Sequence, residues 1–162
     1  MEVRLIQGRT GMKYVAWAAF ALILGTSAAM AETVKPGDVT FEEGAVPASL
    51  TGQSGNADEG RKAFINRKLG NCLACHANSD MKMEQFHGEV GPTLDGVADR
   101  WNEAELRGIL VNSKNTYEDT IMPGFYVGEE FPRTAEKYQG KTILTAQQVE
   151  DVVAYLKTLK EQ

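Results

Sequence analysis

The chain has 162 residues, 43% of them hydrophobic, with 17 Lys/Arg against 22 Asp/Glu and a net charge of −5. That length suits one domain plus a leader. The acidic balance disfavours nucleic acid as a partner and leaves a basic docking face on another protein as the natural complement.

Arg4, Arg9 and Lys13 precede an apolar run over 14–24 that is too short to span a bilayer. Ala29-Met30-Ala31 then supplies the small-residue exit of a signal peptide. Cleavage there starts the mature chain at Glu32, and Met12 is an alternative start because 12–31 alone forms a compact leader. Removing 31 residues from 162 leaves 131, with 14 basic and 21 acidic side chains and a net charge of −7. No later segment has the length of a membrane span. The expectation is an exported, periplasmic protein without a membrane anchor.

Residues 32–55 are rich in Gly, Pro, Ser and Thr and show no periodicity. They read as an irregular extension, with Phe41, Val46, Pro47 and Leu50 as apolar content able to dock. The globular part, 56–162, opens at Asn56, an N-cap before Asp58 and Glu59, and the helix runs from 57 to about 67 with Ala63, Phe64 and Ile65 inward. Gly60 within that helix costs about 1 kcal/mol relative to Ala, which a close helix–helix approach would explain.

Cys72-Leu73-Ala74-Cys75-His76 follows, the only two cysteines of the chain in the pattern C-x-x-C-H. One helical turn points both thiols to the same side, with Cβ atoms about 5–6 Å apart, a spacing suited to the two vinyl groups on one porphyrin edge. The adjacent imidazole can reach the iron, so the pattern is that of c-type haem attachment. Two other readings exist. A thioredoxin-type dithiol expects a strand before the motif, and the preceding residues read instead as a helix end and a turn. A zinc site needs four ligands, which Cys72, Cys75, His76 and His87 would have to supply.

Residues 77–100 lack helical periodicity and read as a loop. Asn102 with Glu105 forms a capping pair opening a helix to about 112, with Leu106, Ile109 and Leu110 buried. Residues 113–142 are again loop-like, with Pro123 and Pro132, a length that makes sense around a large rigid cofactor. Thr145 and Gln148 form a capping box for the last helix, whose stripe is Val149, Val152, Val153, Leu156 and Leu159, with Tyr155 beside it. The fold class is all-α: three or four helices joined by long loops, with a small apolar core that a haem would complete.

Gly91-Pro92-Thr93-Leu94 resembles the G-P-x-L turn of class I cytochromes c, a likeness that extends over 56–162. It implies a class I cytochrome c-like fold with one covalently attached haem c per chain. It also implies that the Pro92 carbonyl orients His76, that Leu94 packs on the haem and that Arg100 contacts a propionate. For the second axial position the mature candidates are Met81, Met83, His87 and Met122. Met81 and Met83 lie five and seven residues past His76, a tether too short to round the porphyrin edge at about 3.3–3.6 Å per residue. Met122, followed by Pro123-Gly124-Phe125, resembles the M-P loop of the same family; His87 is its rival. Thioether ligation raises the potential relative to two imidazoles, and two strong ligands leave no open position on iron.

A narrower resemblance lies in Gly140-Lys141-Thr142-Ile143-Leu144-Thr145-Ala146-Gln147-Gln148-Val149-Glu150-Asp151-Val152-Val153-Ala154-Tyr155-Leu156. This stretch is similar to the SoxX family, the monohaem cytochromes of periplasmic sulfur oxidation. The Ile121-Met122-Pro123 loop, the 125–139 insert and Val46-Pro47-Ala48-Ser49-Leu50-Thr51-Gly52 are similar too. The chain departs from the family pattern at Thr142, where proline is expected, and in the polar insert 78–88. The resemblance implies a heterodimer with SoxA that couples thiosulfate oxidatively to a cysteine of the carrier SoxYZ, an L-cysteine S-thiosulfotransferase. The substrate chemistry then belongs to SoxA, and this chain has no catalytic residue of its own. It accepts electrons and hands them to a small cytochrome c. Two alternatives are a free-standing soluble electron carrier and a sensor with a labile sixth ligand.

Overall fold

The computed structural model describes residues 32–128 and 134–161. The signal segment expected over 1–31 and part of the 125–139 insert lie outside the described residues.

Among the described residues four α-helices form, α1 at Ala57–Ile65, α2 at Val97–Arg100, α3 at Glu103–Asn112 and α4 at Ala146–Leu156, and α1, α3 and α4 start where the caps predict. The Asn56 side chain accepts hydrogen bonds from Asp58 N and Glu59 N, satisfying amides that α1 cannot pair itself. Asn102 with Glu105 and Thr145 with Gln148 both close reciprocal capping boxes. Helix α1 ends two residues before the expected boundary. Helix α2 interrupts a stretch that reads as loop; it is four residues long and has no side-chain cap, so neither period nor cap signals it. Among the described residues there is no strand, only an isolated bridge between Glu42 and Ala45.

The core centres on the crossing of α1 and α4. Val149, Val152, Val153, Leu156 and Leu159 are all buried, and each such side chain contributes about 1.5–3 kcal/mol. Gly60 sits at the crossing, where a Cβ would overlap the Asp151 carbonyl oxygen, so the glycine admits a backbone-to-backbone contact. One turn along, Phe64 meets Tyr155 edge-on, with ring centroids 5.4 Å apart. Ile65 and Ile109 are only half-buried; Val111 takes the inward place at the end of α3.

The extension over 32–55 is irregular, as expected, yet it contributes to the core: Val46 and Leu50 are buried. It is held by an ion pair that composition does not suggest. Arg107 on α3 and Glu150 on α4 are 2% and 3% exposed. Arg107 Nε donates to Glu150 Oε1 at 2.9 Å and Nη2 to Oε2 at 3.0 Å. Arg107 Nη1 donates to the Val46 carbonyl at 2.8 Å, and Leu50 N donates to Glu150 Oε1 at 2.7 Å. The pair thus satisfies backbone groups of the extension that would otherwise be buried without partners.

The 78–88 insert is anchored at its root. Buried Asn78 donates through Nδ2 to Tyr155 Oη at 2.9 Å, and Tyr155 Oη donates to Asp80 Oδ2 at 2.8 Å. Burial, then the hydrogen bond to Asp80, holds the Tyr155 phenol well above its ordinary range.

Candidate functional site

After α1 the chain turns through 66–71, and Asn71 adopts a left-handed conformation (φ 49°, ψ 37°) that asparagine tolerates better than most residues. A 3-10 turn follows at Cys72–Ala74, with His76 N donating to Cys72 O at 2.9 Å. Residues three apart eclipse in such a turn, so Cys72 and Cys75 lie on one side of it. Buried Leu73 pins the turn to the core. Cys72 packs against the core and Cys75 is exposed. Burial pushes the Cys72 thiol up to about 12.

His76 is fixed by its Nδ1, which lies 2.7 Å from the Pro92 carbonyl oxygen. A carbonyl oxygen only accepts, so Nδ1 carries the proton and Nε2 is left with a free lone pair. The turn that brings Pro92 there is stitched to the motif: Gly91 N donates to Cys75 O at 2.8 Å and Leu94 N to Ala77 O at 2.9 Å. Gly91 lies flat against the imidazole, where a Cβ would overlap the ring. Arg100 braces the same turn from outside, Nη1 to Asp95 O at 2.7 Å and Nη2 to Thr93 O at 2.9 Å. Two of its five N–H donors are thus turned to backbone carbonyls of this loop. Asp95 accepts from both the backbone and the hydroxyl of Ser79, which hold its carboxyl below the ordinary value.

Met122 is half-buried against the core on the second long loop. Its rivals are committed elsewhere. His87 accepts at Nδ1 from Asn78 N at 3.3 Å, which leaves Nε2 protonated and donating to Met81 O at 3.0 Å. Both ring nitrogens therefore brace the insert. Met81 is fully buried in the core and Met83 is 87% exposed. Among the described residues no three His, Cys, Asp or Glu side chains cluster as a metal site, so the zinc arrangement is not formed. The strand a thioredoxin-type motif requires is likewise missing from the described residues.

The residues fit a haem. Cys72, Leu94, Trp101 and Met122 are apolar side chains left only partly covered at the edge of the core. Tyr117, 45% exposed, meets Trp101 edge-on at 6.3 Å. By residue type, the free His76 nitrogen and the Met122 thioether suit a haem iron, and the two thiols suit covalent attachment of its porphyrin.

Sequence reading did not single out Ser113 or Thr120, whose hydroxyls contact the backbone of Met122. Hydroxyls near a loop have many uses, and only the tertiary placement shows which one applies. It also did not single out Arg107, although charge at the centre of an otherwise apolar helix face is a visible signal.

A family model described as cytochrome c matches residues 57–160. Among solved structures, a chain of the structure titled "Crystal structure of SoxXA from P. pantotrophus" is 48% identical, with a TM-score of 0.75. The match covers 80% of this chain and 99% of that one. No curated protein matches the chain.

Proposed function

This chain belongs to the cytochrome c family and, within it, to the SoxX group, and from that premise we propose that it is the haem c electron-transfer subunit of a SoxAX-type complex. The observation that carries the reading is the Nδ1 contact to Pro92, which prepares His76 to present Nε2 as a ligand.

Haem c, held covalently in this family, supplies one-electron iron chemistry when bound. The chain's own residues do the rest. Cys72 and Cys75 each give a thioether bond. His76 would supply an imidazole ligand whose orientation is set by Pro92, with Gly91 leaving room for the ring. Met122 would supply a thioether ligand, and Leu94 would give the haem an apolar contact. Arg100 acts through the loop that carries Pro92, and the three N–H donors it does not spend on that loop are the ones a propionate would use. With His76 and Met122 both engaged, such a site would leave no position for a substrate at iron and would move electrons.

The partner is SoxA, because the 48% identical chain comes from a SoxXA structure. On this reading the complex couples thiosulfate to a cysteine of SoxYZ on the SoxA side, and this chain delivers the electrons to a small cytochrome c. The sequence holds no third cysteine to carry a sulfur intermediate once both thioethers are made. The 1–31 segment acts as a cleaved signal peptide and directs the chain to the periplasm. The mature chain then comprises the 32–55 extension and the 56–162 haem domain. No helix among the described residues is long and apolar enough to cross a membrane.

Purification from periplasm without a tag on the partner tests this. A second haem-bearing chain should co-elute at a stoichiometry of one to one. Elution of the protein alone, as a monomer, overturns the proposal in favour of a free-standing carrier.

A further inference from the structure

Met122 is held through its backbone as well as by its side-chain packing. Ser113, just past the end of α3, is 0% exposed, and its hydroxyl donates to the Met122 carbonyl oxygen at 2.7 Å. Met122 N donates to Thr120 Oγ1 at 3.2 Å, and the Thr120 carbonyl accepts from Lys114 Nζ at 2.8 Å. Beyond the methionine, Phe125 N and Tyr126 N donate to the carbonyls of Leu110 and Val111 at 3.0 and 3.2 Å. These are carbonyls that the C-terminal end of α3 leaves without helical partners. The loop is thus sewn to a helix end that itself packs on α4. Only two of these bonds land on residue 122 itself, one on its N–H and one on its carbonyl, and both use side chains. Alanine would fill the Ser113 position without burying a hydroxyl, so the donor, not the packing, distinguishes serine there.

We propose that Ser113 and Thr120 are positioning residues for the Met122 thioether. They set the balance between a loop that presents sulfur to the iron and a detached loop that exposes the coordination position. The proposal rests on the reading of Met122 as the sixth ligand.

The test uses the full haem-bearing protein and titrates imidazole onto the ferric iron, since an added ligand binds only the detached loop and its apparent affinity follows that population. Losing one buried hydrogen bond should raise imidazole affinity about three- to tenfold in Ser113→Ala. Thr120→Val should act in the same direction, and Thr120→Ser, which keeps the acceptor oxygen, should return the parent value. Covalent haem content should be unchanged throughout. If Ser113→Ala fails to fold, the half-buried Thr120 pair decides alone. Parent affinity in every folded Ser113→Ala and Thr120→Val variant overturns the proposal. Met122→Ala, run alongside, separates the two readings. If it gains no imidazole affinity, the ligand assignment itself fails and the positioning role falls with it. If it gains affinity while the Ser113 and Thr120 variants do not, the positioning role alone fails.

Discussion

Replacing Glu150 by leucine removes every acceptor that the buried Arg107 guanidinium finds on α4 and leaves Leu50 N without a partner. Arg107 keeps only the Val46 carbonyl and Glu103, whose side chain is half-exposed and shared with Lys157. Breaking a buried pair by removing one partner costs about 3–5 kcal/mol. Glu103 still faces the stranded charge, so the lower end, about 3 kcal/mol, is expected here. For a chain of this size that is roughly a 10 °C fall in Tm. The damage should be local as well as global, because the same carboxylate holds the extension. Calorimetry of the haem-bearing protein gives the first quantity, and limited proteolysis over 32–55 gives the second. The double variant Arg107→Met with Glu150→Leu should recover much of the loss, since no charge is then stranded. A Tm within about 3 °C of the parent for Glu150→Leu, with the extension as protease-resistant as before, would refute the clasp.

Gly60→Ala should lose about 1–3 kcal/mol in chemical denaturation, because the new methyl overlaps the Asp151 carbonyl and forces α1 away from α4; a neutral result contradicts the close approach. Tyr155→Phe strands Asn78 Nδ2 at a 1% exposed residue and should cost about 1–3 kcal/mol, with faster amide exchange across the insert. Unchanged stability and exchange would detach the insert from α4. Asp95 has its carboxyl held below the ordinary 3.8, chiefly by the Ser79 hydroxyl and then by the Ser79 amide. A depressed carboxylate stabilises above its unfolded value and loses that contribution as pH falls through the folded one. Ser79 amide protection should therefore hold at pH 5 and fade below about pH 4, and Asp95→Asn should remove the dependence. Fading that begins above pH 5 contradicts the sign.

The helices of this chain were legible where side chains report on backbone ends. Asn56, Asn102 and Thr145 each announce a helix through a local bond, and the structure shows each bond made. The stripe on α4 was legible because burial repeats with the helical period. Helix α2 was not, since four residues carry too little pattern. The docking of 32–55 was half legible: Val46 and Leu50 are apolar, but the groups that receive them, Arg107 and Glu150, are charged, and charge on a helix ordinarily faces water. Pairing across 43 residues of sequence is what reverses that expectation. In the candidate site, Cys72, Cys75 and His76 form a contiguous motif and were readable as such. Pro92 was reached through a family likeness, and the structure places its carbonyl on His76 Nδ1. The commitment of both His87 nitrogens to the insert could not be read, because it depends on how 78–87 folds back on itself.

Absorption spectra of the parent and Met122→Ala, ferric and ferrous, with and without carbon monoxide, test the closed site most directly. The parent should show a sulfur-to-iron band at the red end when ferric and should not bind carbon monoxide when ferrous. Met122→Ala should keep its covalent haem through Cys72 and Cys75, lose that band and bind carbon monoxide. A Met122→Ala protein with the parent spectrum and no carbon monoxide complex would contradict ligation by Met122, and with it an iron closed on both faces by this chain.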